Sequence, residues 1–167
     1  MVPQIKKILY ATDLSKNSSY AFLYAVDLAK KHNAEIVILH AIEPVPAYAE
    51  AYAALTEDFK KKQLDEFVES IKKHLVGFCK KAEAQIGHPC AELVTKILVP
   101  TGYPPDAILN TAEREGCDVI VLGTHGKGLI SYAFLGSVSK SVLHRTQKPV
   151  FIIPLPSGKM AMDWDRI

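Results

Sequence analysis

Three glycines and a serine have a spacing that could form an anion-binding site. They are Gly123, Gly126, Gly136 and Ser137, in the pattern Gly-x2-Gly-x9-Gly-Ser. Glycine permits positive φ angles and lets a ligand approach the backbone closely, so the N–H groups of such a segment can point at a phosphate. The segment is neither a P-loop nor a GxGxxG turn, because it lacks the P-loop lysine pattern and Ser131 occupies the last glycine position.

The helix expected after Gly136 strengthens the case for a phosphate. Ser137 is a suitable N-cap, and the first turn that follows, Val138-Ser139-Lys140, carries no Asp or Glu. Because a helix N-terminus has a partial positive charge, a first turn without its own acid leaves room for an anion. The alternative is a tight strand-to-helix turn that binds nothing, and spacing alone does not decide between the two.

Few other side chains suggest chemistry. His125 and Lys127 lie within the glycine segment, where they could contact phosphate or simply be solvated. His40 ends an apolar run and is interpreted as a hydrogen-bonded structural histidine rather than a catalytic one. No His or Cys pair has metal-ligand spacing, and the glycine segment contains no arginine and no clear base. Phosphoryl transfer needs a charge clamp and a positioned nucleophile, so slow or absent hydrolysis is expected.

Alternating strand and helix patterns surround this segment. Apolar, β-branched runs predict strands at about 5–11, 35–42, 91–99, 118–122 and 150–153. Helical patterns predict helices at about 17–32, 56–86 and 137–145, with a short one starting at Pro104. Residues 43–55 show no clear period and are predicted to be a linker.

This order of elements predicts an α/β fold, a Rossmann-like five-stranded parallel sheet in the order 3-2-1-4-5 with helices on both faces. Ligands of such sheets bind beyond the carboxyl ends of the strands, where the strand order reverses. The loop that holds Asp13 should therefore face the loop that starts at Gly123. The last strand, Val150 to Ile153, should lie at a sheet edge, where it could pair with another chain.

Length and composition exclude several classes of protein. The 167 residues suit one domain, and 49% hydrophobic with 23% charged residues is ordinary for a globular chain. A net charge of +2 is too weak for strong binding to nucleic acid. No apolar run approaches the ~18 residues of a membrane span, and the N-terminus does not look like a signal peptide. Three cysteines without a CxxC pair favour free thiols in a reducing cytosol.

The glycine segment resembles the ATP-binding signature of the universal stress protein family, Gly-x2-Gly-x9-Gly followed by Ser or Thr. The stretch Tyr10-Ala11-Thr12-Asp13-Leu14-Ser15 resembles the end of that family's first strand, although Leu14 stands where Phe is common. Similar stretches occur at 119–126 and 136–150. The resemblance covers about residues 6–154, and the intact glycines and serine match the nucleotide-binding branch of the family.

The resemblance implies a nucleotide-binding domain over residues 1–154 and a tail, 155–167, outside the family core. Asp13 would contact the nucleoside end of ATP, although it could also cap the first helix. The main chain at Ala41 would read the adenine edge, and Mg²⁺ could accompany the phosphates. The implied nucleotide-binding residues are Ala11, Thr12, Asp13, Ala41, Leu122, Gly123, Gly126, Gly136, Ser137 and Val138.

The resemblance also implies a cytoplasmic homodimer, paired through the strand Val150 to Ile153, that acts in stress response. Nucleotide occupancy would set the shape offered to an unknown regulatory protein partner. Three alternatives stay open: a slow ATPase or nucleotidyl-transfer enzyme of the same architecture, a flavodoxin-like electron-transfer domain, and a partner-binding dimer whose pocket is vestigial. The tail, which contains Trp164, is expected either to dock on the subunit or to fray.

Overall fold

A computed structural model describes residues 1–52, 56–124 and 135–154 of the chain. Its strands are β1 (Lys7–Ala11), β2 (Glu35–Leu39), β3 (Val94–Leu98), β4 (Val119–Gly123) and β5 (Val150–Ile153). Its helices are α1 (Lys16–His32), α2 (Ala47–Tyr52), α3 (Glu57–Ile86), α4 (Cys90–Leu93), α5 (Pro104–Arg114) and α6 (Ser137–Arg145).

The five strands form one parallel sheet in the order β3-β2-β1-β4-β5. Ile8 of β1 aligns with Ile36 of β2 on one side and with Val119 of β4 on the other. The strand order therefore reverses between β1 and β4, and β5 lies at an edge. Both features confirm the predicted topology.

Side chains alternate between two apolar cores, one on each face of the sheet. Ile8 and Tyr10 face a core shared with α1 and α3, whereas Leu9 and Ala11 face a core shared with α5 and α6. Successive residues of a strand point to opposite faces, so unbroken apolar runs are needed when helices cover both sides. This arrangement confirms the predicted layers.

Local signals account for the ends of the longer helices. Ser15 caps α1, and its Oγ accepts a hydrogen bond from the Ser18 N–H at 3.2 Å. Thr56 caps α3 in the same way, and α3 ends at Gly87, which adopts the left-handed conformation with φ of 65°. Along α3, the buried residues lie only in its second half, from Leu75 onward.

Several details of the predicted elements were wrong. The predicted linker contains α2, where the Pro46 carbonyl accepts the N–H groups of Ala49 and Glu50. The strand predicted from residue 91 begins at Val94, because Cys90 and Leu93 bury their side chains on one helical turn. β2 ends at Leu39 rather than at residue 42, although the chain continues alongside β3 and Ile42 bridges to Thr101.

All three cysteines of the chain are free and buried. The predicted free thiols are therefore confirmed. Among the helices that the structure describes, none has both the length and the apolar character required to cross a bilayer.

Candidate functional site

A cavity of about 350 Å³ lies at the carboxyl ends of β1, β2 and β4, where the strand order reverses. Its walls include every predicted binding residue within the described chain: Ala11, Thr12, Asp13, Ala41, Leu122, Gly123, Gly136, Ser137 and Val138. The Asp13 loop and the start of the glycine segment thus face each other across one cavity, as predicted. Gly126, His125 and Lys127 lie outside the described residues.

The turn after β1 brings polar atoms to the first wall. The Thr12 N–H donates to the Leu39 carbonyl at 2.9 Å, and the Thr12 hydroxyl shares a hydrogen bond of 2.8 Å with Ser18. Leu14 takes a φ of 63°, in the left-handed region. This conformation is unfavourable for a residue with a bulky side chain. The turn is therefore held in a strained shape by its hydrogen bonds.

Asp13 supports this turn and also lines the cavity. Its Oδ1 accepts a hydrogen bond from the Ser15 N–H at 3.0 Å. The suggestion that Asp13 caps the first helix was wrong, because Ser15 occupies the N-cap position and accepts the Ser18 N–H.

Below the turn, Tyr10 donates from its hydroxyl to the Ser18 carbonyl at 2.6 Å. Burial raises the pKa of Tyr10, so the phenol stays neutral.

The second wall continues β2 beyond Leu39. The N–H groups of His40 and Ile42 donate to the carbonyls of Leu98 and Pro100, on the β3 side. Because N–H and C=O groups alternate in direction along an extended strand, those of Ala41 point to the opposite side. That side is the cavity, which Ala41 lines.

His40 ties the first two walls together. Its Nδ1 lies 2.8 Å from the Thr12 carbonyl. Since a carbonyl oxygen only accepts, Nδ1 carries the proton in this hydrogen bond. His40 is thus hydrogen-bonded, in agreement with its interpretation from the sequence, while it also lines the cavity.

The third wall is formed by the end of β4 and the start of α6. Gly136 donates its N–H to the Thr124 carbonyl at 2.7 Å, and Ser139 donates from its hydroxyl to the Gly123 carbonyl at 2.8 Å. The prediction that Ser137 is the N-cap was wrong: Gly136, with φ of −60°, is the N-cap, and Ser137 is the first helical residue. Gly136 has the extended backbone of an N-cap, and its carbonyl accepts the first helical hydrogen bond, from Lys140.

Neither described glycine of the segment needs a positive φ. Gly136 has a negative φ, and Gly123 lies at the end of β4 outside the left-handed region. The expectation of glycine-specific backbone angles was therefore wrong at both positions. The structural reason for glycine at 123 is instead the close approach of the Asn17 side chain.

The cavity separates positive from negative groups. Helix geometry leaves the N–H groups of Ser137, Val138 and Ser139 without intrahelical acceptors, and the first turn of α6 contains no acid. Asp13 and Glu43 supply carboxylates elsewhere on the lining, and none of the described lining residues is Lys or Arg. An anion would therefore be held at the α6 end by backbone groups.

The predicted binding residues did not include several lining residues, namely Ser18, Leu39, Glu43, Pro104, Ile108 and Ser139. Pro104 and Ile108 lie one turn apart at the start of α5, which follows β3. A helix that leaves the carboxyl end of a strand starts at the same edge of the sheet, so this position was the signal that could have found them.

Comparison with known proteins gives a consistent family. The profile described as the universal stress protein family matches residues 4–154. The chain is similar to "Universal stress protein MJ0577" of Methanocaldococcus jannaschii, with 28% identity over 89% of this chain and 94% of that protein. It is also similar to a universal stress protein of Thermus aquaticus, with 35% identity over 89% of this chain and 98% of that protein.

The fold agrees with a solved structure as well. The structure of MJ0577 superposes with a TM-score of 0.73 at 27% identity, over 93% of this chain and all of that one. The family match at residues 4–154 extends from β1 through β5 and includes the strand ends that build the cavity. The chain therefore belongs to the universal stress protein family.

Proposed function

We propose that this protein binds ATP in the cavity between Asp13 and the start of α6. The observation that carries the proposal is the convergence of three kinds of group in one cavity. These are the main-chain N–H and C=O of Ala41, which point away from β3, the carboxylate of Asp13, and the N-terminus of α6, whose first turn has no acid. A cavity of about 350 Å³ is within the range of ~300–1,000 Å³ that small-molecule sites occupy.

The base end of the ligand would lie beside Ala41. A neighbouring N–H donor and C=O acceptor on one residue match the acceptor and amino group on the edge of adenine. Pro104 and Ile108 supply apolar surface at the same cavity, which suits the flat faces of a purine. Asp13 would accept hydrogen bonds from ribose hydroxyls.

The phosphate end would lie at α6. The N–H groups of Ser137, Val138 and Ser139 can donate to phosphate oxygens, and the helix dipole favours the negative charge there. Asp13 and Glu43 would repel phosphates from the other walls, which gives the ligand one orientation. Mg²⁺, when it accompanies ATP, would be held by the phosphates and offset part of this repulsion.

Binding rather than turnover is the proposed activity. Among the described lining residues, none provides the cationic clamp that phosphoryl transfer requires. We therefore propose a cytoplasmic, nucleotide-dependent regulator of stress response with little or no hydrolysis. Two copies would form a homodimer through β5. A protein partner would bind according to whether ATP occupies the site.

A thermal unfolding experiment with a charge variant tests the proposal. At about 100 times Kd, ATP adds ~2.7 kcal/mol to stability, which is a rise in Tm of roughly 5–10 °C for this size. Ser137→Asp places a carboxylate in the first turn of α6. It should raise the Tm without ligand slightly, by about 0.3–1 kcal/mol of helix stability, yet abolish the shift with Mg-ATP.

The matched control is Ser137→Asn, because Asn has nearly the same shape as Asp without the charge. This variant should keep most of the Tm shift with Mg-ATP. Assay of phosphate release in the same samples measures hydrolysis directly. Absence of any shift for the wild-type protein in millimolar Mg-ATP would reject ATP binding. An equal shift for wild type and Ser137→Asp would place the phosphates away from α6.

A further inference from the structure

Buried polar side chains cluster under one rim of the cavity. Asn17 and Ser19 of the first turn of α1 are 6% and 0% exposed. Asn17 is not among the residues that line the cavity, but its side chain reaches the ends of β4 and β5. A buried amide in this position must satisfy its polar atoms within the protein.

The amide of Asn17 joins two strand ends. Its Nδ2 donates to the Ile153 carbonyl at 3.1 Å, and its Oδ1 accepts from the Thr124 hydroxyl at 3.2 Å. The Ile153 carbonyl also accepts the Thr124 N–H at 3.1 Å. The Asn17 side chain is thus hydrogen-bonded both to the residue that follows β4 and to the end of β5.

The same strand end carries the start of α6. Thr124 accepts the Gly136 N–H at 2.7 Å, and Gly123 accepts the Ser139 hydroxyl at 2.8 Å. Gly123 and the first turn of α6 line the cavity. A displacement of Thr124 would therefore pass to the helix N-terminus directly through the hydrogen bond of Gly136, and through the adjacent Gly123 to Ser139.

We propose that Asn17 is a positioning residue for the bound nucleotide. It sets where the α6 N-terminus lies relative to the sheet, so that the N–H groups of Ser137, Val138 and Ser139 converge on one phosphate. The inference rests on the proposed ATP site. Because several donors must meet one anion, a small displacement of the helix weakens all of them together.

The test compares Asn17→Ala with Ile86→Val. Ile86→Val removes a methylene from the buried end of α3, beside Lys30 at the far end of α1, and serves as the control for lowered stability. Titration calorimetry with Mg-ATP should show affinity about tenfold weaker for Asn17→Ala. Ile86→Val should bind like wild type once both variants are shown to be folded.

A second measurement does not depend on ATP. Amide hydrogen exchange in the ligand-free protein should be faster at Thr124 and Gly136 in Asn17→Ala and unchanged there in Ile86→Val. If Asn17→Ala does not fold, Thr124→Val removes the hydroxyl donor to Asn17 and should change affinity and exchange in the same direction.

The outcomes separate the two proposals. If wild type does not bind ATP, the proposed function fails, and exchange alone decides the role of Asn17. Wild-type affinity in Asn17→Ala would overturn the inference, and so would unchanged exchange at Thr124 and Gly136. An equal loss of affinity in Ile86→Val would also overturn it, because the effect would then follow from stability.

Discussion

A β-carbon placed on Gly123 would lie 2.8 Å from Oδ1 of Asn17 and 2.9 Å from its Cγ. The two residues come from the end of β4 and the first turn of α1, and both are held in place by hydrogen bonds. Gly123 is therefore required by packing against a fixed amide. This contact joins the support of the cavity to its lining.

Gly123→Ala should be destabilising, because the buried Asn17 amide must move from its partners to admit a methyl group. Overpacking of this kind costs roughly 1–3 kcal/mol. Adding Asn17→Ala removes the group that the methyl meets, so the double variant should lose less stability than the sum of the single variants. Urea unfolding of the four proteins measures this coupling, and additive losses would show that the contact is unimportant.

Ala41→Pro tests the reading of the base by main-chain atoms. Proline lacks the N–H that Ala41 is proposed to offer, while the hydrogen bonds of His40 and Ile42 to the β3 side do not involve that group. Affinity for ATP should fall about tenfold or more, since the loss leaves a polar group of the base without a partner. Ala41→Ser keeps the main chain and is the matched control in the same titration. Equal affinities of the two variants would show that the Ala41 N–H does not bind the base.

The proposed dimer can be tested at β5. This strand ends the sheet, and Phe151 is 39% exposed on it. We expect light scattering to give twice the chain mass of 18.4 kDa for wild type. Phe151→Lys should give the monomer mass, because a charge on an edge strand opposes pairing.

Phe67→Lys makes the same chemical change on the exposed face of α3, where Phe67 is 50% exposed, and should leave the mass unchanged. A dimer that survives Phe151→Lys would have to use another surface. A monomer in wild-type samples at micromolar concentration would contradict the proposed homodimer.

The pH dependence of stability should report on Cys117. Burial raises the pKa of this thiol to about 11, with the charges of Lys7 and Lys148 opposing the shift. The folded state thus keeps the proton after the unfolded chain, with its ordinary value of 9.0, has lost it. Stability from this group is complete below pH 9 and is lost as the pH rises towards 11.

Cys117→Ala removes the titrating group. The Tm of Cys117→Ala should lie below that of wild type at pH 9. The difference should become smaller as the pH rises towards 11, by an amount equivalent to roughly 1–3 kcal/mol. The measurement is thermal unfolding of both proteins across the alkaline range. A constant difference in Tm would mean that the thiol ionises equally in both states.

The order of elements and the place of the cavity could be predicted from the residues. Unbroken apolar runs such as that at Ile36 indicated strands covered on both faces, and alternation with helices required parallel strands. Parallel strands end at the same edge, so Asp13 and Gly123 had to approach each other there. These conclusions depend on local periodicity and chain connectivity, both of which the sequence contains.

Other features were decided only by the tertiary structure. Glycine at 123 depends on Asn17, an amide more than a hundred positions earlier in the chain. The direction of the Ala41 main chain depends on hydrogen bonds between the segments that continue β2 and β3. Gly136 rather than Ser137 caps α6, and its N–H is bonded to Thr124 at the end of β4. Each of these depends on distances between segments that are remote in sequence, and no local spacing of residue types encodes such distances. The sequence by itself therefore determined which edge of the sheet carries the cavity, and the packed structure determined which atoms face it.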